Sequence, residues 1–204
     1  CLAKRGSTKC VWIPASGLGP PLHIGRLAAS PRVRSCAPTS MSNDYIISPT
    51  DRILVTGASG FIGAKVVEML LEYGYTTLHC MVRPSSSRGR LGAVVERFGS
   101  PPEVKVVAGD LTSREDCSRV AEGVSVVLHL AAGFDKSFAG AFMNSALATR
   151  NLMDAFLDTG RPVRFVNVSS FAVYANLDMK RGQLLDESCP LEDAPQERYD
   201  AYGF

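Results

Sequence analysis

From position 52 onward, short apolar runs alternate with longer stretches of helical period. Residues 52–57 (Arg-Ile-Leu-Val-Thr-Gly) are an apolar run closed by glycine, the pattern of a buried strand. Over 61–73, Ile62, Val66, Met69 and Leu70 fall on one helical face, and Gly74 stops the helix. Further strands are expected over 76–82, 104–108, 124–130 and 163–168. A helix over 90–98 is closed by Gly99 and the Pro101-Pro102 break. Another runs to Ala121 from a Ser113 cap, with Asp116 at the capping-box position. A single long helix is predicted over 139–158, ended by Gly160. After Ser170 the pattern loosens into polar loops.

Strands that are apolar throughout and separated by helices predict a parallel sheet covered on both faces. The right-handed crossover rule leaves few arrangements, and the doubly wound order 3-2-1-4-5 is the natural one. The fold class is therefore α/β.

Residues 1–40 break this pattern. They hold six basic residues (Lys4, Arg5, Lys9, Arg26, Arg32 and Arg34) and no acid. The rest of the chain holds 22 − 6 = 16 basic residues and all 20 acids, a net of −4, so the overall +2 misdescribes the body. A mildly acidic body gives no footprint for nucleic acid, and none is expected as a partner. Residues 1–40 are expected to be a disordered or non-native extension, with Met41 the working start and 41–204 the folded domain. The competing reading is an organelle transit peptide. No apolar run is long enough to span a bilayer, so no membrane partner is expected. The six cysteines form no Cys-x-x-Cys pair, which argues against a metal site and for a reducing compartment, the cytoplasm.

The chemistry begins at Thr56-Gly57-Ala58-Ser59-Gly60-Phe61-Ile62-Gly63, between the first strand and the first helix. Gly57 lets the chain turn sharply, Gly60 clears a path for phosphate, and Gly63 allows close helix–strand packing. A helix N-terminus placed there offers free N–H groups and a positive dipole end to a pyrophosphate. The strand–turn–helix context is what makes this spacing informative.

Further segments follow in order: Asp110-Leu111 after strand three, His129-Leu130-Ala131-Ala132 at the end of strand four, Asn151 in the long helix, Ser169-Ser170-Phe171-Ala172-Val173-Tyr174 after strand five, and Tyr202-Gly203-Phe204. Together with the glycine loop they resemble the extended short-chain dehydrogenase/reductase superfamily, in its NAD(P)-dependent epimerase/dehydratase branch. The likeness covers residues 50–204 and implies a Rossmann-type domain. It implies a dinucleotide held by Gly57, Ser59, Gly60, Phe61, Ile62, Gly63, Arg83, Asp110, Leu111, Ala131 and Ala132. Ala175 departs from the glycine common in the family. Asp110 could equally cap the turn it opens, Asn151 could face solvent, and His129 reads as a strand-end histidine.

An acid ending strand two suits the ribose hydroxyls of NAD, and a base suits the extra phosphate of NADP. No carboxylate occurs between Glu72 and Glu96, whereas Arg83 is followed by Ser85, Ser86, Ser87 and Arg88. NADP is therefore preferred over NAD by charge. Arg83 stacked on the adenine would serve NAD equally well.

By the resemblance, Tyr202 is the acid/base and Ser170 the hydroxyl that orients the substrate oxygen, with Ser169 its neighbouring candidate. Tyr199 is a rival to Tyr202. Tyrosine is un-ionised at neutral pH unless a nearby cation lowers its pKa of about 10. The family's lysine would fall four residues after Tyr202, past Phe204. The chain thus reads as a piece of a longer enzyme, inactive and poorly soluble alone because strand five would be an open apolar edge.

The expected activity is hydride transfer at a secondary alcohol or ketone of a small-molecule substrate. A nucleotide-sugar epimerase or dehydratase leads. A ketone reductase resembling dihydroflavonol reductases or 3-beta-hydroxysteroid dehydrogenases is the alternative, and a non-catalytic dinucleotide sensor is a third reading. A homodimer is an expected assembly of the full-length enzyme.

Overall fold

The computed structural model describes residues 46–99, 103–133, 135, 137–160, 162–175 and 179–192. Residues 1–40, with their two readings, lie outside these, as do Tyr199 and Tyr202.

Five parallel strands form one sheet in the order β3-β2-β1-β4-β5, as the crossover argument predicts. They are β1 (Ile53–Thr56), β2 (Leu78–Val82), β3 (Val104–Ala108), β4 (Val126–His129) and β5 (Arg164–Asn167). The central strand is buried along its whole length, and its residues alternate between two cores. Ile53 and Val55 join Val67, Leu71, Leu78, Cys80 and Leu91, beneath α1 (Phe61–Glu72) and α2 (Gly89–Arg97). Leu54 joins Met81, Cys117, Val120, Val127, Leu152 and Phe156 on the other face. There α3 (Arg114–Ala121) and α5 (Ala148–Leu157) lie. Cys80 and Cys117 pack as small hydrophobes, and burial pushes their thiols up to about 12 and about 11.

Three expectations need correction. Coverage on both faces holds for the three central strands but not for the edges. On β3, Lys105 and Val106 are exposed, as are Val166 and Asn167 on β5. An edge strand has a neighbour on one side only, and the helices centre on β1, β2 and β4. The capping box on α3 is half-formed. Ser113 Oγ accepts from Asp116 N, but the Asp116 carboxylate turns to Asp110 N at 2.8 Å and to Arg119. Those two donors hold the Asp116 carboxyl below the usual carboxylate range, Arg119 first.

The third concerns the long helix over 139–158. It consists of α4 (Phe138–Ala141), a π-helical turn (Phe142–Leu147) and α5. A π turn widens the helix by closing i→i+5 bonds. Ala141 before it is buried, as are Ala148, Asn151, Leu152 and Phe156 after it, but none of the six π residues is. The π turn therefore adds no fully buried side chain to the core. Among the described residues no helix is long and apolar enough to cross a membrane.

Candidate active site

The carboxyl ends of the strands open into a cleft of about 780 Å³, in the size range of ligand and cofactor sites. This is where doubly wound sheets bind ligands, at the point where strand order reverses. Here that point is between β2–β1 and β4.

The floor is the turn from β1 into α1. Gly57 has φ of +67°, the left-handed region that glycine tolerates. A methyl there would also press against Ala131 N at 2.9 Å. At Gly63 a methyl would collide with the Gly57 carbonyl and with Ala58 Cα at 2.8 Å. Gly60 differs, because a Cβ there meets only Gly57 O at 3.2 Å and otherwise open space. Gly60 is also the N-cap of α1, with no side-chain cap and no acid in the first turn. Ser59, Phe61 and Ile62 line the cleft around it. These residues leave a helix N-terminus bare toward the cleft, which is what a pyrophosphate requires. The donor set fits a dinucleotide.

The β4 end is held from beneath by a buried polar relay absent from the sequence reading. Thr56 and His129 are paired across the β1–β4 ladder, and both are buried. Thr56 Oγ1 lies 2.7 Å from His129 Nδ1 and accepts from Leu130 N at 3.2 Å and Ala131 N at 3.3 Å. With its acceptor side taken by two N–H groups, the hydroxyl donates to Nδ1. The imidazole proton then sits on Nε2, 2.9 Å from Thr149 Oγ1 on α5. Burial pushes the His129 pKa down to about 4, consistent with a neutral ring. His129 is thus a structural strut, and the backbone it steadies, Leu130, Ala131 and Ala132, lines the cleft.

At the β2 end, Arg83 is exposed and lines the cleft with Ser86, whose N–H donates to Arg83 O at 3.0 Å. At the β3 end, Asp110 caps the turn it opens. Its Oδ1 accepts from Thr112 N and Oγ1, each at 2.9 Å, and it also lines the cleft with Leu111. Asn151 is buried rather than solvent-facing. Its Nδ2 donates to Leu111 O at 3.2 Å and Thr112 O at 3.1 Å, tying α5 to this loop.

At the β5 end, Ser169, Ser170 and Phe171 line the cleft. Ser170 Oγ accepts from Ala172 N at 3.2 Å, opening a short 3-10 turn (Phe171–Val173). Accepting there leaves its O–H proton available to a ligand. Tyr174 is half-buried and pairs by its backbone with Leu191, away from the cleft lining. Every expected site residue that is described thus lines one cleft. Sequence reasoning missed roles for Thr56 and for Asn144, which reaches the cleft from the π turn.

Residues 53–202 match the NAD dependent epimerase/dehydratase family. The ketoreductase adrE of Penicillium rubens is 28% identical over 152 residues, covering 72% of this chain and 44% of that protein. A 3-beta-hydroxysteroid dehydrogenase of Mycolicibacterium neoaurum is 30% identical over 160 residues, covering 74% and 40%. Among solved structures, the dTDP-glucose 4,6-dehydratase DesIV of Streptomyces venezuelae, with NAD bound, superposes with a TM-score of 0.59. It is 29% identical, and the match covers 74% of this chain and 49% of that one. The chain spans less than half the length of these relatives. Strand order, bare helix terminus and matched residues agree, and the chain belongs to the NAD-dependent epimerase/dehydratase family.

Proposed function

We propose that this protein is an NADP-preferring oxidoreductase that moves hydride between the dinucleotide and a secondary alcohol or ketone. The observation that carries the reading is one continuous cleft with the bare α1 terminus at its floor and the Ser170 hydroxyl at its β5 end. When bound, the dinucleotide supplies or accepts the hydride. The first-turn N–H groups of α1 hold its phosphates, and the Gly57–Gly63 contacts keep that turn rigid. Ser170 donates its free proton to the substrate oxygen and orients the carbon toward the hydride donor. Tyr202 gives a proton to the carbonyl oxygen in reduction and takes it back in oxidation.

The preference for NADP rests on Arg83 and Ser86 at the β2 end; the carboxylate in the cleft lining, Asp110, belongs to the end of the neighbouring strand β3, where its Oδ1 accepts from Thr112. A guanidinium there meets a 2′-phosphate in charge-assisted hydrogen bonds. Such a preference suits net reduction of a ketone, where the cofactor leaves oxidised. The likenesses to a ketoreductase and a hydroxysteroid dehydrogenase point the same way. The likeness to DesIV supports a second reading, a nucleotide-sugar dehydratase or epimerase.

Titrating NADPH and NADH into the purified protein tests this. NADPH is expected to bind at least about tenfold tighter, and Arg83→Ala to remove that margin while leaving NADH unchanged, as losing a charged hydrogen bond predicts. Equal or tighter NADH binding ends the NADP assignment. Stoichiometric NADPH consumption with a ketone favours the reductase over an epimerase.

A further inference from the structure

Beside Ser170 stands an aromatic ring that the reaction outlined above does not use. Phe171 lines the same cleft and is 71% exposed. A lone exposed apolar side chain on an outer surface is ordinary. This one faces the site and directly follows the residue that orients the substrate oxygen. Their Cα atoms are about 3.8 Å apart, so a fused-ring molecule hydrogen-bonded to Ser170 reaches Phe171.

The backbone that carries the ring is fixed from both sides. Ser170 Oγ accepts from Ala172 N, while Val173 N donates to Ser170 O and Tyr174 N to Phe171 O, each at 3.2 Å. Behind the turn, Ala175 N donates to Pro190 O at 2.9 Å and Glu192 N to Val173 O at 2.8 Å. Ala172 takes the buried side of the turn, which leaves Phe171 on the open side.

Charge is distributed unevenly around the cleft. Arg83 and Asp110 are the charged side chains among its described lining residues, and they stand at the β2 and β3 ends. Toward β5 the lining is Ala148, Val168 and Phe171, with Asn144, Ser169 and Ser170 as its polar side chains. Those polar groups are too few for a sugar, whose hydroxyls each need a partner once out of water. A nucleotide sugar also brings a diphosphate, which calls for cations. Arg83 is already taken by the dinucleotide in the reading above. An uncharged ring system with one carbonyl oxygen asks only for a hydroxyl and an apolar wall.

We infer that Phe171 is a specificity-determining residue, and that the substrate is an uncharged, apolar ketone whose flat face packs on its ring while its oxygen meets Ser170. An aromatic face contributes most to a planar apolar partner, by area and by stacking. The inference rests on the proposed reading, in which the cleft holds a dinucleotide and Ser170 meets the substrate oxygen.

The test is equilibrium dialysis of the purified, NADP+-saturated protein against acetonaphthone, a naphthyl methyl ketone, and against UDP-glucose. Acetonaphthone is expected to bind at least about tenfold tighter than UDP-glucose. Phe171→Ala should weaken the ketone about tenfold, as losing one aromatic face predicts, and Phe171→Asn about as much. Phe171→Leu keeps an apolar wall and should stay within about threefold. Because the ring is exposed, all three variants should keep their fold and their NADP+ affinity, measured alongside. UDP-glucose bound as tightly as the ketone, neither probe bound, or ketone affinity unchanged in Phe171→Ala overturns the assignment. So does NADP+ affinity that falls in step with ketone affinity, since the ring would then serve the cofactor. Failure of the unsubstituted protein to bind NADP+ sinks the dinucleotide reading itself.

Discussion

The floor of the cleft and its β4–β5 side are built by different means. The floor is backbone: three glycines within seven residues, a helix terminus, and close contacts between main-chain atoms, those of Gly60 and Gly63 local in sequence and that of Gly57 reaching Ala131. The β4–β5 side is held by side chains from far apart, with Thr56 bonded to His129, 73 residues away, and His129 bonded to Thr149, 20 residues on. A site made of backbone tolerates no added atom. A site made of a buried relay tolerates isosteric change but not a change of protonation. The two sides should therefore fail differently.

The largest effect is expected at the floor. Gly63→Ala drives a methyl into the Gly57 carbonyl and Ala58 Cα, all backbone, which no rotamer change relieves. Overpacking of this kind costs about 3 kcal/mol. Because relief requires the loop to shift, dinucleotide binding should disappear with it. Denaturant melts and a cofactor titration check this together. A variant that bound normally would show that the floor is not rigid, and the contrast with the β4 side would dissolve.

The second effect belongs to the relay and to pH. Unfolded, His129 takes a proton below about pH 6.5. Folded, it resists protonation down to about pH 4, because burial disfavours the charged ring. Between these values the unfolded state binds more protons, so stability falls as the pH drops from 6.5 toward 4. The full difference is about 3 kcal/mol. There is a geometric reason as well: a proton on Nδ1 would face a Thr56 hydroxyl already accepting two N–H groups. Urea denaturation across this window should show the loss, and His129→Asn should flatten it. Acid sensitivity equal in both proteins would assign the effect to other groups.

What the sequence revealed divides along the same line. The strands, the first three helices and the glycine loop were legible because each is a local pattern, a run, a period or a spacing. Strand ends moved by one or two residues, as with β4, expected over 124–130 and found at Val126–His129. Asp110 and Ser170 were found through a resemblance, and their hydrogen bonds to Thr112 and Ala172 follow from where the turns place them. The relay was not legible. A threonine ahead of a glycine loop and a histidine ending a strand have no mark of partnership until β1 and β4 pair in register. Nor was the π turn, since Phe-Met-Asn-Ser-Ala-Leu carries no proline or glycine to announce a departure from α geometry. The edge places of β3 and β5 followed from the predicted strand order, but β3 is nearly as apolar as the central strands, so the exposure of Val106 was not legible from composition.

The smallest effect sharpens the contrast most, because it asks whether the relay acts as a unit. Thr149→Val keeps the shape but removes the acceptor of the His129 Nε2–H, in a part-buried position. Leaving that donor unpaired should cost about 1 kcal/mol. Thr56→Val removes the bond on the other side of the ring and the acceptor for Leu130 N and Ala131 N, so it should cost more. Both threonines bond one imidazole, so once either bond is gone the ring is freer to shift and the second is worth less. The double variant should then lose less stability than the two single losses added, by roughly 0.5 kcal/mol or more, the size of coupling seen within one network. Strict additivity in a double-mutant cycle would mean that His129 is two separate contacts and not a strut, and the β4 end would have to owe its position to the β1–β4 ladder alone.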